Sequence, residues 1–363
     1  MSKKIKIGSF EAGCLIMSFI FAQIYMDFSQ IVVSSAANAA WMTVISLSIA
    51  VLLIFAVFYS IMKNFSGKDI LDVCEYTFGK KGKLILGIVI IIFLLIRVTL
   101  VFKQAGGRLV IMAYTNSPLS FITAFYAIAA SVAAYAGFQA IARIAKIFVP
   151  FIAVSLILII IGNINLIDYG NLFPIFGNGL KETFSGGLEI FSIFISMIGI
   201  LFLPPYMTDS KTLKKTGLWT LAIGGVFLTL ITLTYILIYP YPSGQDVFMP
   251  IYLLSKMVSF GGKIQKLESI FILIWVMGII VYISAVLNLI FEIIKKTFDI
   301  KDARPLIIPT TLIIYFISNM PIESTIIQNI EYKFLYNTGF YIVFVVPFLI
   351  LISANIKRAL RKK

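Results

Sequence analysis

Histidine is absent from all 363 residues, and cysteine occurs only twice. Without histidine there can be no His-ligated zinc and no Ser-His-Asp triad, so any proton relay must use carboxylates. Cys14 lies in an apolar run and Cys74 in a polar stretch; they read as packing residues, not as a disulfide framework. Charge is scarce too, with Asp, Glu, Lys and Arg at 13% of the chain, against about 25% in soluble domains. With no phosphate loop and no cluster of metal-ligating residues, the chain reads as a non-enzyme with no metal and no cofactor.

Apolar residues dominate instead, at 60%, against roughly 45–50% in soluble domains. The class is therefore a polytopic membrane protein. The balance of 30 basic to 16 acidic residues gives +14. The bases cluster in short segments between apolar runs, as membrane topology requires, so nucleic acid is not the partner; the lipid bilayer is. The start "MSKKIKI" looks like a secretory n-region, but the run behind it is too long for an h-region. It also contains Glu11, Gln23 and Asp27, so cleavage is not expected.

A bilayer core takes about 20 apolar residues per helix. Ten runs qualify: 10–33, 39–61, 84–111, 118–136, 145–161, 187–205, 217–239, 267–294, 305–320 and 338–355. With the N-terminus cytoplasmic, the inner segments, both termini included, hold 22 Lys and Arg, and the outer segments, counting Lys103 and Arg108 at the end of span three, hold 7. The positive-inside rule then puts both termini in the cytoplasm, the 240–266 loop outside, and 356–363 in a basic cytoplasmic tail. The stretch "GKDILDVCEYTFGKKG" carries Ile70, Leu71, Val73, Cys74 and Phe78 at helical spacing and reads as an amphipathic helix on the inner surface. "GFQAIARIAKI" brings Arg143 and Lys146 to the inner end of span five. The outer loops "NLIDYGNLFPIFGNGL" and "YPYPSGQDVFMP" are punctuated by glycine and proline.

Paired interruptions in matching spans of two halves point to a transporter-type site. Ten spans divide as five plus five, with repeat one at about 8–161 and repeat two at about 187–355, in a single transmembrane domain over 1–363. Span six contains Glu189, Ser196, Gly199 and Pro204-Pro205, and its partner, span one, contains Glu11, Gln23, Asp27 and Gln30. Plain readings compete: the prolines can simply end span six, and Ser196 can bond its own helix. Asp27 is different, because an intramembrane acid is by default paired, cavity-facing and functional.

"GNLFPIFGNGL" (170–180), "LFLPPYM" (201–207), "GFQAIARIAKIFVPF" (137–151) and above all "KLESIFILIWV" (266–276) make the chain resemble the spore germination permease family. These are the B subunits of bacterial spore germinant receptors, within the amino acid–polyamine–organocation superfamily. The resemblance covers about residues 8–360 and implies an all-α, ten-span, 5+5 inverted-repeat (LeuT-like) fold with discontinuous helices one and six. It also implies the inner membrane of the spore, a small germinant such as an amino acid, and assembly with an A-type membrane subunit and a C-type lipoprotein. Arg143, Pro174, Pro204, Glu268 and Trp275 occupy family-motif positions to which the resemblance gives structural roles. Two departures stand out. Family members carry a Gly-x-Gly-like stretch and a later proline in span one, where this chain has Ala22-Gln23-Ile24 and Ser29. They also carry a glycine and a glutamate in span six, where this chain has Ser196 and Ile198. The resemblance thus suggests a carboxylate lost from span six and gained as Asp27.

Three functions fit: a solute-sensing subunit, a secondary transporter, and an assembly subunit without a ligand. For the first two, the expected ligand site comprises Gln23, Tyr25, Asp27, Arg97, Gln104, Ser196 and Gly199. Arg97, Gln104 and Arg108, at offsets of seven and eleven, share one face of span three. At about 1.5 Å per residue, Asp27 lies roughly 25 Å along span one, between Arg97 and Gln104 at roughly 20 and 30 Å along span three. The expectation is that Asp27 pairs with Arg97 across a polar cavity, and that Asp27→Asn impairs the response far more than Ser29→Ala. Glu268 is expected to hold the outer end of span eight through Lys263 or Lys266.

Overall fold

The computed structural model describes residues 6–26, 28–185, 191, 193–258, 267–322, 326–327, 330–331 and 337–361. Every regular element among them is helical: α1 (Ser9–Tyr25), α2 (Phe28–Ala36), α3 (Ala40–Met62), α4 (Ile70–Ala113), α5 (Leu119–Ala136) and α6 (Phe138–Gly162) in the first half. The second half holds α7 (Leu180–Ser185), α8 (Ser196–Phe202), α9 (Ser210–Ile238), α10 (Pro250–Met257), α11 (Leu267–Thr297), α12 (Ile307–Ser318) and α13 (Asn337–Leu360). A π-helical turn over Tyr341–Val345 interrupts α13. Span one is α1 plus α2; spans two to five are α3 to α6. Span six is α8 with its flanks, and spans seven to ten are α9, α11, α12 and α13.

Helix α1 occupies the centre. Every residue from Ala12 to Tyr25 is buried, and a helix buried all round must be surrounded by others. It packs on α6, α8, α9 and α11. Outside it, Ile49, Leu53 and Val57 of α3, Phe121, Phe125, Ile128 and Val132 of α5, and Phe151, Val154 and Leu158 of α6 are exposed at helical spacing. In water such a belt would drive aggregation; in a bilayer it is the lipid-facing surface. The protein is an integral membrane protein.

Local chemistry explains where the elements differ from the sequence expectation. The amphipathic stretch and span three form one element, α4, joined through Gly79 at φ 74°, a conformation only glycine adopts without strain. Ile70, Leu71, Val73 and Cys74 are buried, whereas Phe78 is exposed. Span five starts at Phe138, seven residues early, because Gly137 at φ 89° alone turns the chain from α5 into α6. Span seven starts at Ser210, where the Asp209 side chain caps Thr212 N–H at 2.6 Å. The expected tail from 356 is instead the last turns of α13. Lys357 donates to the carbonyls of Tyr76 and Thr77 at 2.9 and 2.8 Å, and Arg358 to that of Asn64 at 2.8 Å.

The segments expected on the inner side meet at one end of the bundle, called here the basic end. Ile7 N–H donates to Tyr206 O, Lys6 to Met207 O, Lys83 to Asp299, and Lys296 to Asp69 and Asp72. Lys146 of α6 reaches Glu11 of α1 at 3.4 Å.

Candidate functional site

Helix α1 stops at Tyr25, Met26 leaves the helical region at φ −87°, ψ −149°, and α2 begins at Phe28. Asp27 lies outside the described residues, as do Glu189, Lys263 and Lys266. No glycine or proline makes this break. It falls just after the Ala22-Gln23-Ile24 stretch, which itself stays helical. The end of α1 leaves carbonyls without helical partners, and Arg108 Nη1 donates to Tyr25 O at 3.1 Å, placing a cation at the negative end of the helix.

A second cation on the same face of α4 sits just below. Arg97 donates through Nη2 to Gln23 Oε1 and through Nη1 to Glu331 Oε1, both at 2.7 Å. Gln104 Nε2 donates to the other Glu331 oxygen. Gln23, Arg97 and Gln104 thus join one hydrogen-bonded group, which ties span three to the end of α1. The carboxylate that pairs with Arg97 among the described residues is Glu331, which lies between the expected spans 305–320 and 338–355. The Arg97 side chain is 5% exposed and that of Glu331 12%. Charges so deeply buried persist only when paired and bonded. The Tyr282 hydroxyl of α11 is buried without a hydrogen bond of standard geometry, within electrostatic reach of Arg97.

The other expected site residues divide. The Tyr25 ring packs edge-on against Phe271 of α11, and its hydroxyl meets Ser155 of α6 at 3.4 Å. Among the described residues, Ser196 opens α8 with a fully buried hydroxyl that has no partner, and Ser29 is in the same state at the start of α2. Each costs about 1–3 kcal/mol while it lacks a partner. Gly199 is a packing position, since a Cβ there would come 2.7 Å from Ile16 Cδ1 of α1. Among the family-motif positions, Pro204 is buried and opens a 3₁₀ turn (Pro204–Tyr206), and Trp275 is buried in α11. Arg143 and Pro174 are exposed, and Glu268 lies in the first turn of α11, half-buried.

A separate ionic group at the basic end was not foreseen. Asp69 and Asp72 cap each other's backbone N–H groups at 3.1 Å and share Lys296 of α11, while Lys83 bridges Glu75 and Asp299 at 3.0 Å each. Burial pushes the Asp69 carboxyl up to about 6 against the opposing pull of Lys296.

Comparison with known proteins bears on what these groups serve. Solved structures with the same fold include a Na+-coupled sialic acid symporter in a substrate-bound outward-open state. It has TM-score 0.65 and 13% identity, with 98% of this chain and 91% of that one covered. Another is Mhp1, a nucleobase-cation-symport-1 family transporter, at TM-score 0.69 and 11% identity, covering 96% and 78%. The fold is therefore the LeuT-like inverted-repeat bundle with interrupted first and sixth spans. Among curated relatives, spore germination protein A2 of Bacillus subtilis (strain 168) is 25% identical over 229 residues, covering 61% of this chain and 60% of its own. Protein KB of the same organism is 23% identical over 203 residues, covering 54% of each. Protein XB of Bacillus anthracis is 24% identical over 161 residues, covering 44% and 45%. The chain spans about half the length of the curated relatives it matches. The family model described as "Spore germination protein" matches residues 6–327, most of the chain, and the protein belongs to that spore permease family.

Proposed function

We propose that this protein is the germinant-sensing membrane subunit of a spore germinant receptor. It binds a small polar solute such as an amino acid beside the break in span one and signals to an A-type membrane subunit and a C-type lipoprotein in the inner membrane of the spore. One observation carries the reading. A buried group of Arg97, Glu331, Gln104 and Gln23 lies against the end of α1, where the backbone leaves the helix. Ionisable groups placed deep in a membrane bundle beside a broken helix mark solute pathways. Asp27, next to Met26 in the sequence, would add a carboxylate for the solute's ammonium or hydroxyl group. Signalling then requires that the solute favour one arrangement of the bundle by differential affinity.

The fold shared with cation-coupled symporters favours a second reading, a secondary transporter of the same solutes. Reconstitution of this chain alone in liposomes separates the two. A sensor binds solute but moves little of it, and it triggers germination only with its partners. A transporter accumulates labelled solute unaided. The Asp27→Asn, Arg97→Gln double variant tests the site in spores. If it assembles and responds with unchanged specificity and sensitivity, Asp27 has no ligand role.

A further inference from the structure

Arg97 and Gln104 donate to different oxygens of one carboxylate, that of Glu331. They stand seven residues apart on α4, and the second terminal nitrogen of Arg97 is fixed by Gln23 of α1. Two planar donors converging on both oxygens form a receptor for a carboxylate, whichever molecule carries it. Both donors ride on one long helix, α4, whereas Glu331 comes from a separate part of the chain. Arg97 is sealed at 5% exposure, whereas Glu331 at 12% and the half-buried Gln104 keep an edge that an arriving group can reach. Exchanging one carboxylate for another leaves the buried charge unchanged, so the guanidinium is never stranded.

We propose that Glu331 is an internal competitor for the ligand: the solute carries a free carboxylate, which takes over Arg97 and Gln104 as the Glu331 side chain leaves. The proposal rests on the solute-binding reading above and names the chemical class of that solute. It makes Glu331 a determinant of sensitivity, because a ligand's apparent affinity falls with the fraction of receptor left free. It also couples arrival to a change within the protein, since every binding event releases a charged side chain from span three.

The test uses the purified full chain in detergent and the twenty proteinogenic amino acids. Binders are found by thermal shift, and their Kd is measured by calorimetry beside that of each binder's C-terminal amide. Glu331→Gln keeps the shape and a partner for Gln104 but removes the competing charge. The same amino acid should then bind about tenfold more tightly than to the wild type, as release of a mostly occupied receptor requires. The amide should bind neither protein. Where Glu331→Gln does not fold, Glu331→Asp decides: it keeps the charge but is one methylene short of bridging both donors, and should tighten binding about threefold. Equal or weaker binding in the folded variant overturns the proposal, leaves the solute-binding reading intact, and makes Glu331 a direct ligand contact. An amide that binds as well as its acid overturns it likewise. If no amino acid binds either protein, the proposal and the amino acid reading fall together.

Discussion

Arg97 is held by two partners on different elements, and its removal strands Glu331 among buried surroundings. Breaking one side of a buried pair costs about 3–5 kcal/mol. Arg97→Gln should therefore lower the melting temperature in detergent markedly, and adding Glu331→Gln should restore much of the loss. A double variant no more stable than the single would show that the pair is not the source of the effect. Asp69 gives a pH-dependent counterpart at the basic end. Its folded pKa of about 6 lies above the ordinary 3.8, so the native state holds the proton more tightly than the unfolded chain does. That contribution is complete below about pH 4 and is lost as pH rises through about 6. The Tm of Asp69→Asn relative to the wild type should accordingly increase from pH 4.5 to 7.5; a decrease would contradict the assignment. The two groups differed in how far sequence could reveal them. The shared face of Arg97, Gln104 and Arg108 follows from their offsets. Glu331 was hidden because it falls outside every apolar run of the sequence, and the Asp69–Lys296 pairing joins residues 227 apart with no local signal.

At the scale of elements, the centre of the bundle is set by close approach. Gly199 brings α8 against Ile16 of α1, where an added Cβ would sit 2.7 Å from Ile16 Cδ1, whereas Gly107 of α4 has open space. Gly199→Ala should cost up to about 1 kcal/mol, the low end of overpacking, because the atom it meets is the movable end of the Ile16 side chain. Gly107→Ala should be neutral or stabilising by up to about 1 kcal/mol, because alanine favours the helix. Thermal melts of both variants check this, and equal effects would remove the packing argument. In span six Gly199 is a packing position inside α8, whereas the helix end at the two prolines was legible. The end of α1 at Met26 was not, since neither glycine nor proline marks it; the capping cation comes from Arg108, 83 residues away. Helix starts at Phe138 and Ser210 were missed because Arg143 and Lys146 in one helix, and Lys211, Lys214 and Lys215 in the other, cut the apolar runs short.

For the whole molecule, the segments richest in basic residues meet at one end, and the positive-inside rule predicts that this end is cytoplasmic. Ser243→Cys, in the segment between α9 and α10 at the opposite end, should react with an impermeant thiol reagent in intact cells. Cys14 and Cys74 are buried and should contribute little background. Reaction only after permeabilisation would reverse the orientation. The central claim is that a solute binds at the polar group beside the break in span one. Its most direct test is saturable binding of tritiated amino acids to the purified full chain, comparing wild type, Asp27→Asn and Lys83→Met. The account predicts that at least one amino acid binds the wild type, that Asp27→Asn weakens this about tenfold by removing the carboxylate proposed for the ligand's ammonium group, and that Lys83→Met leaves it unchanged. Binding that is indifferent to Asp27, or absent from the wild type, would contradict the account.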